Sequence, residues 1–234
     1  ESDFSPALLH NGNISSTYWI TSSDNVLRKY NYSYDKLNRL LEANYSKPSD
    51  SYNVNLPMSL TDSYMEKLTY DKNGNITSLI RNGDSDSSFY VDEIDNLTYT
   101  YDPNKKNQLM KVFDSTYYTS GFKDDSDGIV DLDDDYEYDD NGNMIKDDNK
   151  GVSSITYNHL NLPVEIIFNN NTNTKIEYIY NAVGQKLVKK VYSQYDDGSG
   201  GEEFKSNSRT KTRVVNNLIT TEYLSGFQYK DEDL

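Results

Sequence analysis

Hydrophobic and aromatic residues occupy every second position in short runs along the chain. Examples are Leu68-Thr69-Tyr70, Tyr99-Thr100-Tyr101, Tyr136-Glu137-Tyr138, Ile155-Thr156-Tyr157 and Ile176-Glu177-Tyr178-Ile179-Tyr180. A period of two marks half-buried β-strands. Each run closes on a polar stretch, and alternation resumes beyond it in Ile76-Thr77-Ser78-Leu79 and in residues 164–168 and 185–191. The pattern predicts strand, tight turn and return strand, many times over. One hairpin is only marginally stable in water, so consecutive hairpins are expected to lie side by side and bury a shared face of Tyr, Leu, Ile and Val.

The turns are themselves a repeat. Copies open at Tyr34-Asp35, Tyr70-Asp71, Tyr101-Asp102, Tyr138-Asp139, Tyr157-Asn158 and Tyr180-Asn181, at spacings that belong to solenoids and β-arrays. Three residues after the Asp or Asn stands Asn38, Gly74, Gly142, Asn161 or Gly184, in five of the six copies. Gly and Asn tolerate the left-handed backbone that a tight turn needs, and the Asp or Asn side chain accepts backbone N–H groups two or more residues on. The tyrosine fills the sheet with its ring and keeps its hydroxyl wet or bonded. Turns of a Gly-Asn kind (Asn11-Gly12-Asn13, Asn73-Gly74-Asn75, Asn141-Gly142-Asn143) alternate with turns of a Leu-Asn or Asn-Gln kind (Leu37-Asn38, Asn107-Gln108, Leu160-Asn161), which points to a pair of hairpins as the unit. The Asn11 turn lacks the preceding Tyr-Asp. The third copy carries about two extra residues between Asp102 and Asn107, where a bulge or longer loop is expected.

The units Tyr34-Asp35-Lys36-Leu37-Asn38-Arg39-Leu40, Tyr70-Asp71-Lys72-Asn73-Gly74-Asn75-Ile76 and Tyr138-Asp139-Asp140-Asn141-Gly142-Asn143-Met144 resemble the YD repeats of bacterial RHS proteins. Gly121-Phe122-Lys123-Asp124, the run from Ile155 to Pro163 and the closing Tyr223-Leu224-Ser225-Gly226-Phe227-Gln228-Tyr229 sharpen the resemblance, the last being similar to the entry of the RHS-associated core. The resemblance implies an all-β fold, in which consecutive antiparallel β-hairpins form one spiralling sheet, part of a hollow shell that holds a variable toxin domain. It also implies export, with use against competing bacteria or display at the cell surface. On this reading the chain is one partial β-repeat domain over 1–234, with hairpins over about 5–192, a polar insertion over 193–212 and the start of the core motif over 213–234. It is a fragment near the C-terminal end of the shell, and the aspartates that cut some RHS cores would lie beyond Leu234. The implied partners are the remaining repeats and the toxin domain of the same polypeptide, and further an immunity protein, export machinery or a cell-surface glycan.

Composition narrows the picture. The chain has 234 residues and 35% hydrophobic content, with a mean hydropathy of −0.86. It is apolar-poor for a globular domain, yet its 22 tyrosines argue against disorder and fit a sheet with one wet face. Cysteine is absent, so disulfides and thiol chemistry are excluded. No stretch approaches the length of an apolar membrane span, and membrane insertion is not expected. A net charge of −15 opposes binding to nucleic acid; the basic candidates are Lys186, Lys189 and Lys190 with the 205–213 stretch, which read as a solvated strand face. Polar insertions are expected over 47–58, 82–92, 114–135 and 193–212.

One constellation has ligand-like spacing. Asp125, Asp127, Asp131 and Asp133 place hard oxygens around Gly128, in partial imitation of a calcium loop. Lys123 stands where the first ligand of such a loop would be and no Glu stands at the twelfth place, so a solvated acidic insertion is the better reading. His10 and His159 lack a neighbouring nucleophile, the Asn-Gly-Asn turns lack the Lys and helix of a phosphate cradle, and no catalytic residue or cofactor is expected. Trp19 and the tyrosines could stack on sugars, which keeps a carbohydrate-binding or adhesin module as the alternative to packing.

Overall fold

The computed structural model describes residues 9–48, 58–83, 86, 90–116, 118–124, 134–196, 214–224 and 227–232. The chain divides into two compact units, Glu1–Asp124 and Asp125–Leu234. The first holds β1 (Ser16–Ile20), β2 (Leu27–Tyr34), β3 (Leu40–Pro48), β4 (Met58–Leu60), β5 (Glu66–Tyr70), β6 (Ile76–Gly83), β7 (Asp92–Tyr101) and β8 (Leu109–Asp114). The second holds β9 (Tyr136–Tyr138), β10 (Met144–Asp147), β11 (Val152–Tyr157), β12 (Pro163–Phe168), β13 (Asn171–Tyr180), β14 (Lys186–Asp196), β15 (Val214–Leu224) and β16 (Phe227–Glu232), with a single 3-10 turn at Asp148–Lys150. Among the described residues there is no α-helix.

Each unit is a sheet in which neighbours in sequence are neighbours in space and every pairing is antiparallel. The first runs β1-β2-β3-β5-β6-β7-β8, with the short β4 paired on β3, and the second runs from β9 to β16 in order. The all-β fold of consecutive antiparallel hairpins expected from the alternation is therefore present in both. One boundary moves. Residues 193–196, read from sequence as the start of the polar insertion, continue β14, because Ser193, Gln194, Tyr195 and Asp196 pair with Asn217, Asn216, Val215 and Val214 of β15.

Register assigns the faces. In the first sheet Tyr32 lies opposite Ala43, Tyr30 opposite Tyr45, Leu68 opposite Leu79 and Leu79 opposite Leu97. The alternate face carries Asn31, Asn44, Lys67, Thr69, Ser78 and Thr98. In the second sheet one unbroken row, Ile155-Ile166-Ile176-Val191-Ile219, crosses five strands, and the adjacent row on the other face is Thr156-Glu165-Glu177-Lys190-Thr220. Lys175 bridges Glu165 and Glu177 on that polar face. The aliphatic row is only half-buried. Among the described residues eight hydrophobic side chains are buried against twelve polar or charged ones, so hydrogen bonding contributes much of the specificity of these sheets.

A feature invisible in the sequence recurs at the turn end of each of the six repeat hairpins. Thr69 pairs with Ser78 but Tyr70 with Ile76, leaving Thr77 as an extra residue on the return strand. Leu41, Met110, Ile145, Val164 and Leu187 are extra in the same way, beside Tyr34, Tyr101, Tyr138, Tyr157 and Tyr180. The bulge expected only for the lengthened third copy is thus common to all six. A bulge bends its strand and re-aims a side chain, and here the residue opposite each bulge is the repeat tyrosine.

Candidate functional site

The short turns of each sheet lie along one end of its strands and share one construction. At Asp71 the backbone N–H donates to the Asn75 carbonyl (2.9 Å) and Gly74 N–H donates back to the Asp71 carbonyl (3.3 Å). One carboxylate oxygen, Oδ1, accepts the N–H groups of Asn73 and Asn75 at 2.8 and 2.9 Å, while Oδ2 accepts Asn75 Nδ2 at 2.8 Å. Asp139 repeats this arrangement with Asn141 and Asn143. Asp35 does so with Leu37 and Arg39, whose guanidinium replaces the amide. Asn158 and Asn181 use their side-chain oxygens in the same way. Asp102 accepts from Asn104 and Lys105 and closes on Gln108, so the two extra residues widen the loop without removing its acceptor. Asn38, Gly74, Gly142, Asn161 and Gly184 all have φ between 55° and 95°, the left-handed region that Gly and Asn enter at least cost.

The tyrosines join one hairpin to the next. Tyr34 donates its hydroxyl to the Ile14 carbonyl (2.9 Å), Tyr70 to Leu40 (2.8 Å), Tyr101 to Ile76 (2.9 Å), Tyr157 to Met144 (2.6 Å) and Tyr180 to Pro163 (3.0 Å). In all five the acceptor is the first residue after the preceding turn. The bulge sets the ring angle, the ring spans one hairpin, and the hydroxyl satisfies a carbonyl that the irregular ladder leaves available. Burial raises the pKa of Tyr70, Tyr101, Tyr157 and Tyr180, which keeps the donor protonated.

Side chains of neighbouring turns also meet. Asn11 and Asn13 donate to Asn38 Oδ1 (2.6 and 3.3 Å), Asn75 donates to Lys106 O and Asn107 Oδ1 (2.8 and 3.3 Å), and Asn141 and Asn143 donate to Asn161 Oδ1 (3.4 and 3.0 Å). Each rung runs from a Gly-Asn turn to a turn of the other kind, the physical content of the alternation seen in the sequence. Between the pairs, Arg39 donates to the Asp71 carbonyl at 3.0 Å and lies over the Tyr70 ring.

The carboxylates of the turns give a pH dependence. Asp35 is held below the usual carboxylate value chiefly by backbone donation from Arg39, Asp102 by Lys105 and Asn104, and Asp139 by the Asn143 side chain. At Asp71 desolvation is the largest single influence and pushes upward, but the Asn75 and neighbouring donors together outweigh it and the shift is downward. A folded-state pKa lowered in this way stabilises the turn above the ordinary value and loses that contribution as the pH falls through the folded one. Asn158 and Asn181 do not titrate. Acidification below about pH 4 is therefore expected to release protection of the amides at 37–39 and 73–75 before that of 160–162 and 183–185, as read by hydrogen exchange.

The opposite strand ends of the first unit are tied by buried carboxylates. Asp95, fully buried, pairs with Arg81 and accepts Phe122 N–H. Asp114 accepts the N–H groups of Asn96 and Thr116, both at 3.0 Å, and its own N–H donates to Asp124 Oδ2. These bonds draw the Gly121-Phe122 segment against β7, where a Cβ on Gly121 would lie 1.8 Å from the Ile94 carbonyl oxygen. Elsewhere on the same sheet Trp19 stacks on Tyr30, with ring centroids 5.5 Å apart, and packs on Tyr45, which also meets Tyr64 edge-on. Tyr45 accepts from Arg28 and donates to Asp86, and burial raises its pKa well above the ordinary phenol value.

Asp125, Asp127, Asp131 and Asp133 lie outside the described residues, as does the basic 205–213 stretch. Among the described residues no group of three metal-ligating side chains comes together, and no helix is long and apolar enough to cross a membrane. His10 and His159 are exposed, His159 within the 158–161 turn. Lys186 lies over the Tyr178 ring, and Lys189 and Lys190 occupy successive strand positions and so face opposite sides of the sheet.

No family model matches the chain. No curated protein matches it either. Among solved structures, a chain of the crystal structure of TcdB2-TccC3-TEV is similar over 92% of this chain at 13% identity with a TM-score of 0.38. A chain of the crystal structure of TcdB2-TccC3 is similar over 93% at 11% identity with a TM-score of 0.44. This chain spans 12% and 11% of the length of those two chains.

Proposed function

We propose that these residues are a non-enzymatic stretch of wall in an RHS-type shell, one whose apolar face lies against another segment of the same long polypeptide, a toxin domain held for delivery. The observation that carries the reading is the recurrence of one joint, comprising capped turn, bulge and tyrosine bond, at successive hairpins of both sheets. Such a joint extends a sheet indefinitely, and in the second unit the sheet it extends carries an Ile and Val row only half-buried by its own unit. A wall needs extension and one apolar side; it needs no catalytic group. Secretion or presentation at a bacterial surface goes with that role, as do export machinery and an immunity protein as partners.

The adhesin alternative asks the aromatic residues to offer free ring faces to sugar. Trp19 instead stacks one face on Tyr30 and packs at a tilt on Tyr45, which favours packing. Limited proteolysis of the full polypeptide that carries these residues separates the two readings. Containment predicts that one segment outside the repeats survives protease while the hairpins are native and is cut once they are unfolded. Uniform digestion of everything outside the repeats, with binding to a glycan array, would support display instead.

A further inference from the structure

Four Asn-Gly pairs occur among the described residues, and we infer that one of them, Asn11-Gly12, is a site of spontaneous deamidation while the other three are protected. In this reaction the backbone nitrogen of the residue after an asparagine attacks the side-chain carbon Cγ. A C–N bond forms, the Cγ–Nδ2 bond breaks, and Nδ2 departs as ammonia with the proton shed by the backbone nitrogen. Water then opens the five-membered imide at either carbonyl, leaving aspartate or isoaspartate, with no change of oxidation state. Glycine at the second position lets the nitrogen approach because no Cβ hinders ring closure.

Three conditions favour attack: a backbone N–H that is not tied elsewhere, a donor at the side-chain oxygen to stabilise the developing oxyanion, and exposure. In the carboxylate-capped turns the first two fail. Gly74 N–H is donated to Asp71 O and Gly142 N–H to Asp139 O. The donors that follow, Asn75 N–H and Asn143 N–H, go to the Asp side chains and not to Asn73 or Asn141. Asn82-Gly83 lies in β6 with Asn82 buried, so the third condition fails there. The first turn lacks its carboxylate, because Leu9 stands where the other turns have Asp. Among the described residues nothing accepts the Gly12 N–H, and Asn13 N–H instead donates to Asn11 Oδ1 at 3.1 Å, the position of an oxyanion donor. Asn11 and Gly12 are both exposed, and a Cβ at Gly12 would meet nothing within 4 Å.

The product has a structural consequence. Asn11 Nδ2 makes the 2.6 Å rung to Asn38 Oδ1, and its replacement by a carboxylate oxygen sets two acceptors against each other. The first turn would then be held to the second by the Asn13 to Asn38 and Tyr34 to Ile14 bonds alone, without loss of the turn bonds further along.

The test is peptide mapping by mass spectrometry of the full polypeptide after incubation at about pH 8 and about 37 °C, scoring the one-dalton gain and the isoaspartate isomer at each Asn-Gly pair. Conversion at Asn11 is expected to exceed that at Asn73 and at Asn141 by at least about fivefold, the rate factor set by one hydrogen bond that must first be broken. Leu9→Asp, which supplies the missing carboxylate, should bring the Asn11 rate down to theirs. Equal or slower conversion at Asn11 in the unaltered protein, or a rate unmoved by Leu9→Asp in a variant that keeps its β-sheet spectrum, overturns the inference.

Discussion

Gly121→Ala is expected to lower the melting temperature of the first unit by roughly 10 °C or more, corresponding to a loss of about 3 kcal/mol. The added methyl would sit 1.8 Å from the Ile94 carbonyl oxygen and 2.7 Å from Asp95 Oδ1, so backbone must move. If the 118–124 segment lifts away, Asp95 loses the Phe122 N–H and remains buried with Arg81 as its ion-pair partner. A buried carboxylate deprived of a donor costs more than the donor itself contributed. Gly142→Ala is the internal control, because nothing lies within 4 Å of its Cβ and only the left-handed φ of 83° opposes the change. It should cost about 1 kcal/mol. Thermal unfolding followed by circular dichroism reads both, and a Gly121→Ala protein that melts with the Gly142→Ala one would show that the close approach to Ile94 is not a constraint.

The strands and turns were legible in the sequence for a local reason. Alternation in Ile176-Glu177-Tyr178-Ile179-Tyr180 and a Gly or Asn three residues after Asp are facts about neighbours in the chain, and the conformations they favour are local. The bulges were not legible. The extra residue is Leu41, Thr77, Met110, Ile145, Val164 or Leu187; five of the six are apolar, but so are many ordinary strand residues of this chain, and what defines the six is a register between strands. The tyrosine bonds were hidden for a related reason. Their acceptors are main-chain carbonyls from 13 to 30 residues away, and a carbonyl has no sequence identity. Recurrence of tyrosine beside the turn was the available signal, and it suggested packing of the ring more than a task for the hydroxyl.

Asp95 and Asp114 were masked by composition. In a chain with a net charge of −15 they pass for surface acid, yet both are buried, Asp95 holding one backbone N–H and Asp114 two at the strand ends away from the short turns. The Gly121-Phe122-Lys123-Asp124 stretch carried a hint of this, since a Gly beside such carboxylates is where backbone comes close to backbone.

If the repeat is a mechanical joint and not a chemical signature, its hydroxyls must bear on stability. The decisive experiment is hydrogen exchange on a Tyr34→Phe/Tyr70→Phe/Tyr101→Phe variant, which removes three consecutive hydroxyl-to-carbonyl bonds from the first unit while leaving ring volume nearly unchanged. Each bond is worth about 0.5 to 1.5 kcal/mol net, so the three together should lower stability by about 2 to 4 kcal/mol and speed exchange of the amides at 37–39 and 73–75 by at least about tenfold. Tyr18→Phe, which alters a ring that is 58% exposed, should leave both unchanged. A triple variant whose turn amides exchange as slowly as those of the Tyr18→Phe protein would contradict the joint and return the tyrosines to simple packing.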